Sequence, residues 1–386
     1  MSRLIHIGMD VHTTNYTLYA AETIFCDYQV MSHPILFETV KPDVKYIVSF
    51  VERIKKMMGD DCIICCGYEA GCLGYSLYRK LTKYGIKCVI LAPSTMLEPK
   101  SGKRIKTDAR DAKLIADCMA SPNGCSYVYI PTQNDDDIKC YLRMRDDHKI
   151  ALKKIKQQIN AFCLVQGYHY EKTKWTEKHL RWLRTLELKG IVREILNEYL
   201  ITYNDLDSKL ERFEERIEEF AARNEYAESV KNMCCFLGIK THTALSLLVE
   251  IGDFNRFKNA QTFSAFLGLV PDKDASGNHD PRMPITKAGN KHCRTLLTES
   301  CNGIRRGAVG YKSKELRARQ KGRSPEVIAY ADKCNERLRR KYQKMIHRGK
   351  NSNVATTAIA RELACFIWGM MTGNIGSSKM SPVSQG

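Results

Sequence analysis

The feature that most constrains this chain is the order in which short apolar runs alternate with helix-period segments over its first 120 or so residues. Leu4 to Met9, Tyr16 to Thr23 and Tyr28 to Phe37 read as three strands with close turns between them, a meander. Val44 to Met58 then carries apolar residues at the helical period, Cys62 to Cys66 is a continuous apolar strand, and Leu73 to Tyr84 is a second helix. Lys87 to Leu91 makes a fifth strand, stopped by Pro93, and Ala112 to Met119 has helical character.

Three strands followed by α-β-α-β and a helix is the order of a ribonuclease-H-like domain, a mixed five-stranded sheet whose first and fourth strands are neighbours. In that order the acids line up. Asp10 closes the first strand, Glu69 lies just past the fourth, and Asp108 and Asp111 open the helix after the fifth. The carboxyl ends of adjacent central strands meet at one edge of such a sheet, so four carboxylates from three distant segments can share a pocket. Asp108 and Asp111, three apart, project from one helix face and repel each other unless positive charge lies between them. Hard oxygen ligands suit Mg²⁺ or Mn²⁺, and a pair of such ions about 4 Å apart stabilises both the attacking and the leaving oxygen of a phosphodiester. Lys100, Lys103, Arg104, Lys106 and Arg110 around the same helix start point to a polyanionic substrate. Taken singly, each acid has an ordinary explanation: a turn residue at Asp10, a cap at Glu69, a dipole-favoured helix start at Asp108 and Asp111. His12 is read as structural or substrate-facing.

The formal charge of +18 is concentrated late in the chain. Between Arg282 and Lys350 stand twenty basic against five acidic residues, the footprint expected of nucleic-acid binding. Arg305, Arg306, Arg317, Arg319, Arg323, Arg339, Arg340 and Lys341 are expected to hold DNA or RNA backbone there. An anionic membrane is the competing partner, but the most apolar late stretch, Val354 to Met371, is broken by Arg361 and Glu362, and the N-terminus lacks a signal-peptide profile. The sixteen cysteines are scattered, with no second pair at zinc spacing after Cys62 and Cys65, so reduced core thiols are expected.

In the middle, a long helix is expected from about Ile138 to Leu164 and another helical region from about Leu186 to Asn224. Leu206, Leu210, Phe213, Ile217 and Phe220 recur at threes and fours, a pattern for a helical hairpin or coiled-coil arm, packed on its own chain or on a second subunit. Farther on, Phe236 to Ala244 looks like the turn of a helix-hairpin-helix, whose amides face a phosphate, with Lys240 where a second glycine is common. A plain helix-packing turn fits those residues too. Ser276, in a polar loop before Gly277, is followed by Lys287, Lys291 and Arg294, cations able to stabilise a serine oxyanion and the phosphate under attack.

The ordered set Ile7-Gly8-Met9-Asp10-Val11-His12, Tyr68-Glu69-Ala70, Lys106-Thr107-Asp108-Ala109-Arg110-Asp111-Ala112, Phe266-Leu267-Gly268-Leu269-Val270-Pro271, Ser276-Gly277 and Ile285-Thr286-Lys287-Ala288-Gly289-Asn290 resembles the bridge-RNA-guided, DEDD-type transposases of the insertion-sequence one-ten family. The likeness spans nearly the whole chain. It implies a RuvC-like first domain (residues 1–135) in which Asp10, Glu69, Asp108 and Asp111 bind magnesium, with manganese a substitute. It also implies a helical coiled-coil region (136–230) and a mostly helical transposase domain (231–372) in which Ser276 attacks DNA to form a covalent intermediate, followed by a disordered tail. Implied partners are target and donor DNA, a structured guide RNA and further copies of the chain, acids of one subunit meeting the serine of another. Lys106, Arg110, Lys240, Lys287, Lys291, Arg294, Arg305 and Arg306 would then contact nucleic acid. The alternatives are a metal-dependent junction nuclease using water, and a non-catalytic binder whose acids only cap helices.

Overall fold

The computed structural model describes residues 3–26, 29–59, 61–71, 73–96, 107–272 and 284–376, and the chain divides into two compact units, Met1–Ile130 and Pro131–Gly386.

The first unit is a five-stranded mixed sheet of β1 (Leu4–Val11), β2 (Tyr16–Cys26), β3 (Gln29–Val40), β4 (Ile63–Glu69) and β5 (Cys88–Leu91), in the order β3-β2-β1-β4-β5. The meander pairs antiparallel, while β1–β4 and β4–β5 pair parallel. Two helices, α1 (Val44–Met58) and α2 (Ser76–Lys83), supply the crossovers. Along β1 the side chains alternate by face. Ile5, Ile7 and Met9 join Ile47, Phe50, Ile54, Leu77 and Leu81 in one apolar core, and burial of each such side chain stabilises by roughly 1.5–3 kcal/mol. The opposite face receives α3 (Asp108–Ala120), whose Ile115, Cys118 and Met119 pack with Cys65 and Leu91. Strand β4 runs past the expected end at Cys66 because Gly67 and Tyr68 continue the ladder opposite Gly8 and Met9, which an apolar-run criterion cannot see. That extension places Glu69 on the strand rather than beyond it.

The second unit is helical. Its long pair, α4 (Gln133–Val165) and α6 (Gly190–Ala221), is antiparallel: Tyr141 meets Phe220, His148 meets Phe213, and Phe162 meets Tyr199, with ring centroids 5.3, 5.1 and 5.9 Å apart. The arm therefore packs on its own chain through Leu152, Ile155, Ile159, Leu196, Leu200 and Tyr203. The helical region expected from about Leu186 to Asn224 is the one helix α6, with α5 (Glu177–Thr185) before it and α7 (Asn224–Met233) after it. Six further helices follow: α8 (Thr241–Ile251), α9 (Ala260–Phe266), α10 (Lys291–Arg305), α11 (Lys314–Gln320), α12 (Pro325–His347) and α13 (Ser352–Met371). Helices α7 to α10, α12 and α13 enclose one core around Phe236, Leu245, Leu297, Leu338 and Phe366. Helix α13 is long and apolar enough to cross a membrane, yet most of it is buried among its neighbours, and its Glu362 is held by Arg337 and Lys341. The expected tail lies largely outside the described residues.

Candidate metal centre and nucleic-acid surfaces

The centre in the first unit begins with two glycines. Gly8 and Gly67 are register partners on β1 and β4, and α3 lies directly on them. A Cβ on Gly8 would sit 2.0 Å from the Ala112 carbonyl oxygen, and one on Gly67 would sit 2.2 Å from the Met119 sulfur. At Gly8 only a residue without a side chain lets the helix backbone come this close. Two residues farther along the same strands, on the same face, stand Asp10 and Glu69. The seam thus brings the start of α3 to the strand ends that carry the acids.

Carboxylate oxygens of Asp10 and Asp108 and a ring nitrogen of His12 all lie within 4.8 Å of one another. His12 Nε2 is 3.1 Å from Asp10 Oδ2, and Asn15 Nδ2 donates to Asp108 Oδ2 at 3.3 Å. His12 and Asn15 bracket the β1–β2 turn, closed by the His12 amide donating to the Asn15 carbonyl at 3.0 Å. Asp111 shares the first turn of α3 with Asp108, and the helix is capped by Thr107. Burial raises the Asp10 carboxyl above its usual range; His12 opposes this, and the charges of Asp108 and Asp111 reinforce it. A carboxyl raised by burial and by neighbouring carboxylates is a place where a cation is welcome. Glu69, exposed on the same sheet face, lies outside the close trio. The donor set, oxygen-rich and open to solvent, fits a divalent ion. Sequence reasoning gave His12 less weight than its position warrants and missed Asn15, whose role depends on a turn that no local motif marks.

In the second unit the segments Phe266–Pro271 and Ile285–Asn290 form a paired strap. The Thr286 amide donates to the Val270 carbonyl at 3.0 Å, that of Asp272 to Pro284 at 2.8 Å, and that of Asn290 to Phe266 at 3.1 Å. Gly289 takes a φ of 121° and could not carry a Cβ, which would lie 2.0 Å from the Phe266 carbonyl oxygen. Asn290 caps α10 through the Cys293 amide and donates to Glu250, which Arg143 grips with two nitrogens. Arg294 donates to the Leu267 carbonyl at 2.8 Å, so it holds the strap together. The strap fixes Asp272 and Pro284 beside each other. Ser276 and Lys106 themselves lie outside the described residues.

The turn before α8 is held from behind: Asn335 accepts from the Leu237 amide, Gln320 donates to the Cys235 carbonyl, and Arg319 donates to that of Ile239. Helix α8 has no side-chain cap, and Lys240 at its start pairs with Glu315 at 3.0 Å. An open groove of about 1640 Å³ runs past Lys149, Lys153, Lys240, His242, Lys291 and His292. Asp146 in its wall lies 3.3 Å from His242 Nε2 and accepts from Arg145 at 2.8 Å. Burial pushes this carboxyl up, but the close His242 ring and the hydrogen bond from Arg145 outweigh it and hold the carboxyl at about 2.

Several of the late basic residues expected to hold nucleic-acid backbone are already engaged within the protein. Arg339 is 7% exposed and donates to the carbonyls of Ala308 and Tyr311. Arg319 is taken up by the turn before α8, while Arg323, Arg340 and Lys341 pair with Glu228, Glu336 and Glu362. Arg110, Lys240, Lys287, Lys291, Arg305 and Arg306 are exposed, and Arg294 is half-buried.

Comparison with known proteins follows the same segments. A family model described as transposase IS116/IS110/IS902 matches residues 232–306, from the turn before α8 through the strap to the end of α10. A Sinorhizobium fredii protein named as a transposase, y4qE, is 33% identical over 302 residues, covering 78% of this chain and 73% of its own length. The transposase for insertion sequence element IS1533 of Leptospira borgpetersenii is 31% identical over 355 residues, 89% of this chain and 97% of that protein. That for IS1111A of Coxiella burnetii is 27% identical over 267 residues, 66% and 71% of the two chains.

Proposed function

The chain belongs to the IS116/IS110/IS902 family of transposases and is a DNA-recombining enzyme, and on that premise we propose that it cuts and rejoins DNA by transesterification at a RuvC-like acidic centre with Ser276 as nucleophile. The observation that carries this reading is the glycine seam, which lets α3 bring Asp108 within 4.8 Å of Asp10 although the two are far apart in sequence. Asp10, Glu69, Asp108 and Asp111 would hold the divalent ion, Mg²⁺ or Mn²⁺, that the family and the donor set imply. Bound there, such an ion supplies Lewis-acid charge to phosphodiester oxygens.

The chain's own residues do the rest. Ser276 Oγ forms a bond to phosphorus as the bond from phosphorus to a sugar oxygen breaks; the serine proton passes to solvent and solvent returns one to the leaving sugar oxygen, which becomes a hydroxyl. A returning strand hydroxyl reverses the exchange, so the phosphodiester energy is kept and joining needs no nucleotide triphosphate. Lys287 and Lys291, exposed at the strap and at the start of α10, supply positive charge for the phosphate and the serine oxyanion. A structured guide RNA would select the DNA, held through Arg110, Lys240, Arg305 and Arg306. Leu164, Val165 and Ile191, exposed at the adjoining ends of α4 and α6, favour the arm as the contact between copies.

A cleavage assay with denaturing electrophoresis tests this. Ser276→Ala should remove the denaturant-resistant protein–DNA adduct and lower strand exchange by at least about 10³-fold. Asp108→Asn should abolish cleavage as well. Cleavage that persists in Ser276→Ala without an adduct would mean a water-using nuclease, and DNA binding with no cleavage by the wild type, unchanged in both variants, would leave only a binder. Sequencing of RNA co-purifying with the protein tests the guide.

A further inference from the structure

Resting on the reading that the acids hold a divalent ion, we infer that His12 is a ligand of that ion, and that its nitrogen makes the centre select a transition-metal dication such as Mn²⁺ over Mg²⁺. The geometry comes first. Neighbouring donors at about 2.1 Å from one ion, meeting near a right angle, stand about 3 Å apart. His12 Nε2 and Asp10 Oδ2 are separated by 3.1 Å, and Asp108 completes a group with all donor atoms within 4.8 Å. A spacing bridged by a proton in the metal-free protein is therefore also an edge of a coordination polyhedron.

Chemistry decides the metal. Mg²⁺ keeps water and carboxylate oxygens and gives up hydration reluctantly, whereas imidazole nitrogen raises affinity for first-row transition metals. Asn15, tied to Asp108 at 3.3 Å and to the His12 amide through its carbonyl, fixes the turn on which the imidazole stands. His12 is half-exposed and belongs to no apolar cluster, so its replacement leaves the sheet intact.

The test uses the full chain with Mn²⁺ and Mg²⁺ as probes. Pulsed electron paramagnetic resonance of bound Mn²⁺ should show nitrogen hyperfine coupling in the wild type and none in His12→Ala. Calorimetric titration should show Mn²⁺ bound about 10-fold or more weakly in His12→Ala, with Mg²⁺ affinity changed by less than about threefold. Bound Mn²⁺ without nitrogen coupling, or equal loss for both ions in His12→Ala, would overturn the role of His12 while leaving the acidic centre standing. Asp10→Asn separates the two failures: it should abolish binding of either ion. Unchanged binding in that variant, or no binding by the wild type, overturns the acidic centre and His12 together.

Discussion

The two units of this protein gather charge in opposite ways. In the first, carboxylates of like sign are brought together: Asp10 and Asp108 meet at the end of the sheet, and burial and mutual repulsion raise the Asp10 carboxyl. In the second, opposite signs are paired off, as Glu362 with Arg337 and Lys341 or Glu250 with Arg143. A fold dismisses electrostatic strain where it can, so a cluster left unneutralised is the better guide to chemistry than a surplus of one sign. The basic surplus of the late chain, conspicuous in sequence, is partly consumed by carbonyls and acids, whereas the proposed centre draws on four acids scattered in sequence.

The largest effect should come from closing the seam. Gly8→Val drives side-chain atoms into the backbone of α3 at Ala112 and Ala116 and should destabilise the first unit by roughly 3 kcal/mol or more. Hydrogen exchange read by mass spectrometry should show α3 and β1 losing protection while α10 and α13 keep theirs. If α3 stays protected, the seam does not set the height of the helix and the contrast between the units loses its structural basis.

Next in size is the division of the arginines. Arg339→Ala removes the guanidinium that donates to the Ala308 and Tyr311 carbonyls and should cost about 2–3 kcal/mol in urea unfolding. Arg305→Ala with Arg306→Ala should stay within about 0.5 kcal/mol of wild type, yet flatten the salt dependence of DNA binding by about one unit of slope per lost phosphate contact. Equal stability losses in both variants would erase the distinction between structural and available charge.

The smallest effect is one of sign. Because the folded Asp10 carboxyl is raised, its contribution is fully present below the unfolded pKa near 3.8 and is lost as pH rises through the folded value. Asp146, held at about 2, and Glu362, also lowered, contribute stability above their unfolded values that is lost as pH falls through the folded ones. In metal-free protein, Asp10→Asn should stabilise the first unit by about 1 kcal/mol at neutral pH and lose that advantage on acidification. Asp146→Asn should do the reverse in the second unit between about pH 4 and pH 2. The same direction in both units would show that like-charge crowding is absent from the first.

Much of the frame was legible before any coordinates. The helix expected at Val44 to Met58 has those bounds, the meander and crossovers appear in the expected order, and Asp10, Glu69, Asp108 and Asp111 stand at strand ends or a helix start. Less legible were the end of β4, carried forward by a glycine and a tyrosine that no apolar run includes, and the parts played by His12 and Asn15. The motif segments Phe266–Pro271 and Ile285–Asn290 were visible as residues but not as one strap, because their pairing joins stretches more than a dozen residues apart in sequence.

By itself, the sequence determined what depends on near neighbours: the period of each helix, the alternation along each strand, and hence which acids end up at the edge of the sheet. Only the tertiary structure decided which charges are spent and which remain. Arg339 and Arg305 are alike in sequence context, but one is enclosed with the Ala308 and Tyr311 carbonyls and the other faces solvent. The reason is physical: local geometry is set within a few residues, whereas the partner and solvation of a charge depend on chain far removed in sequence.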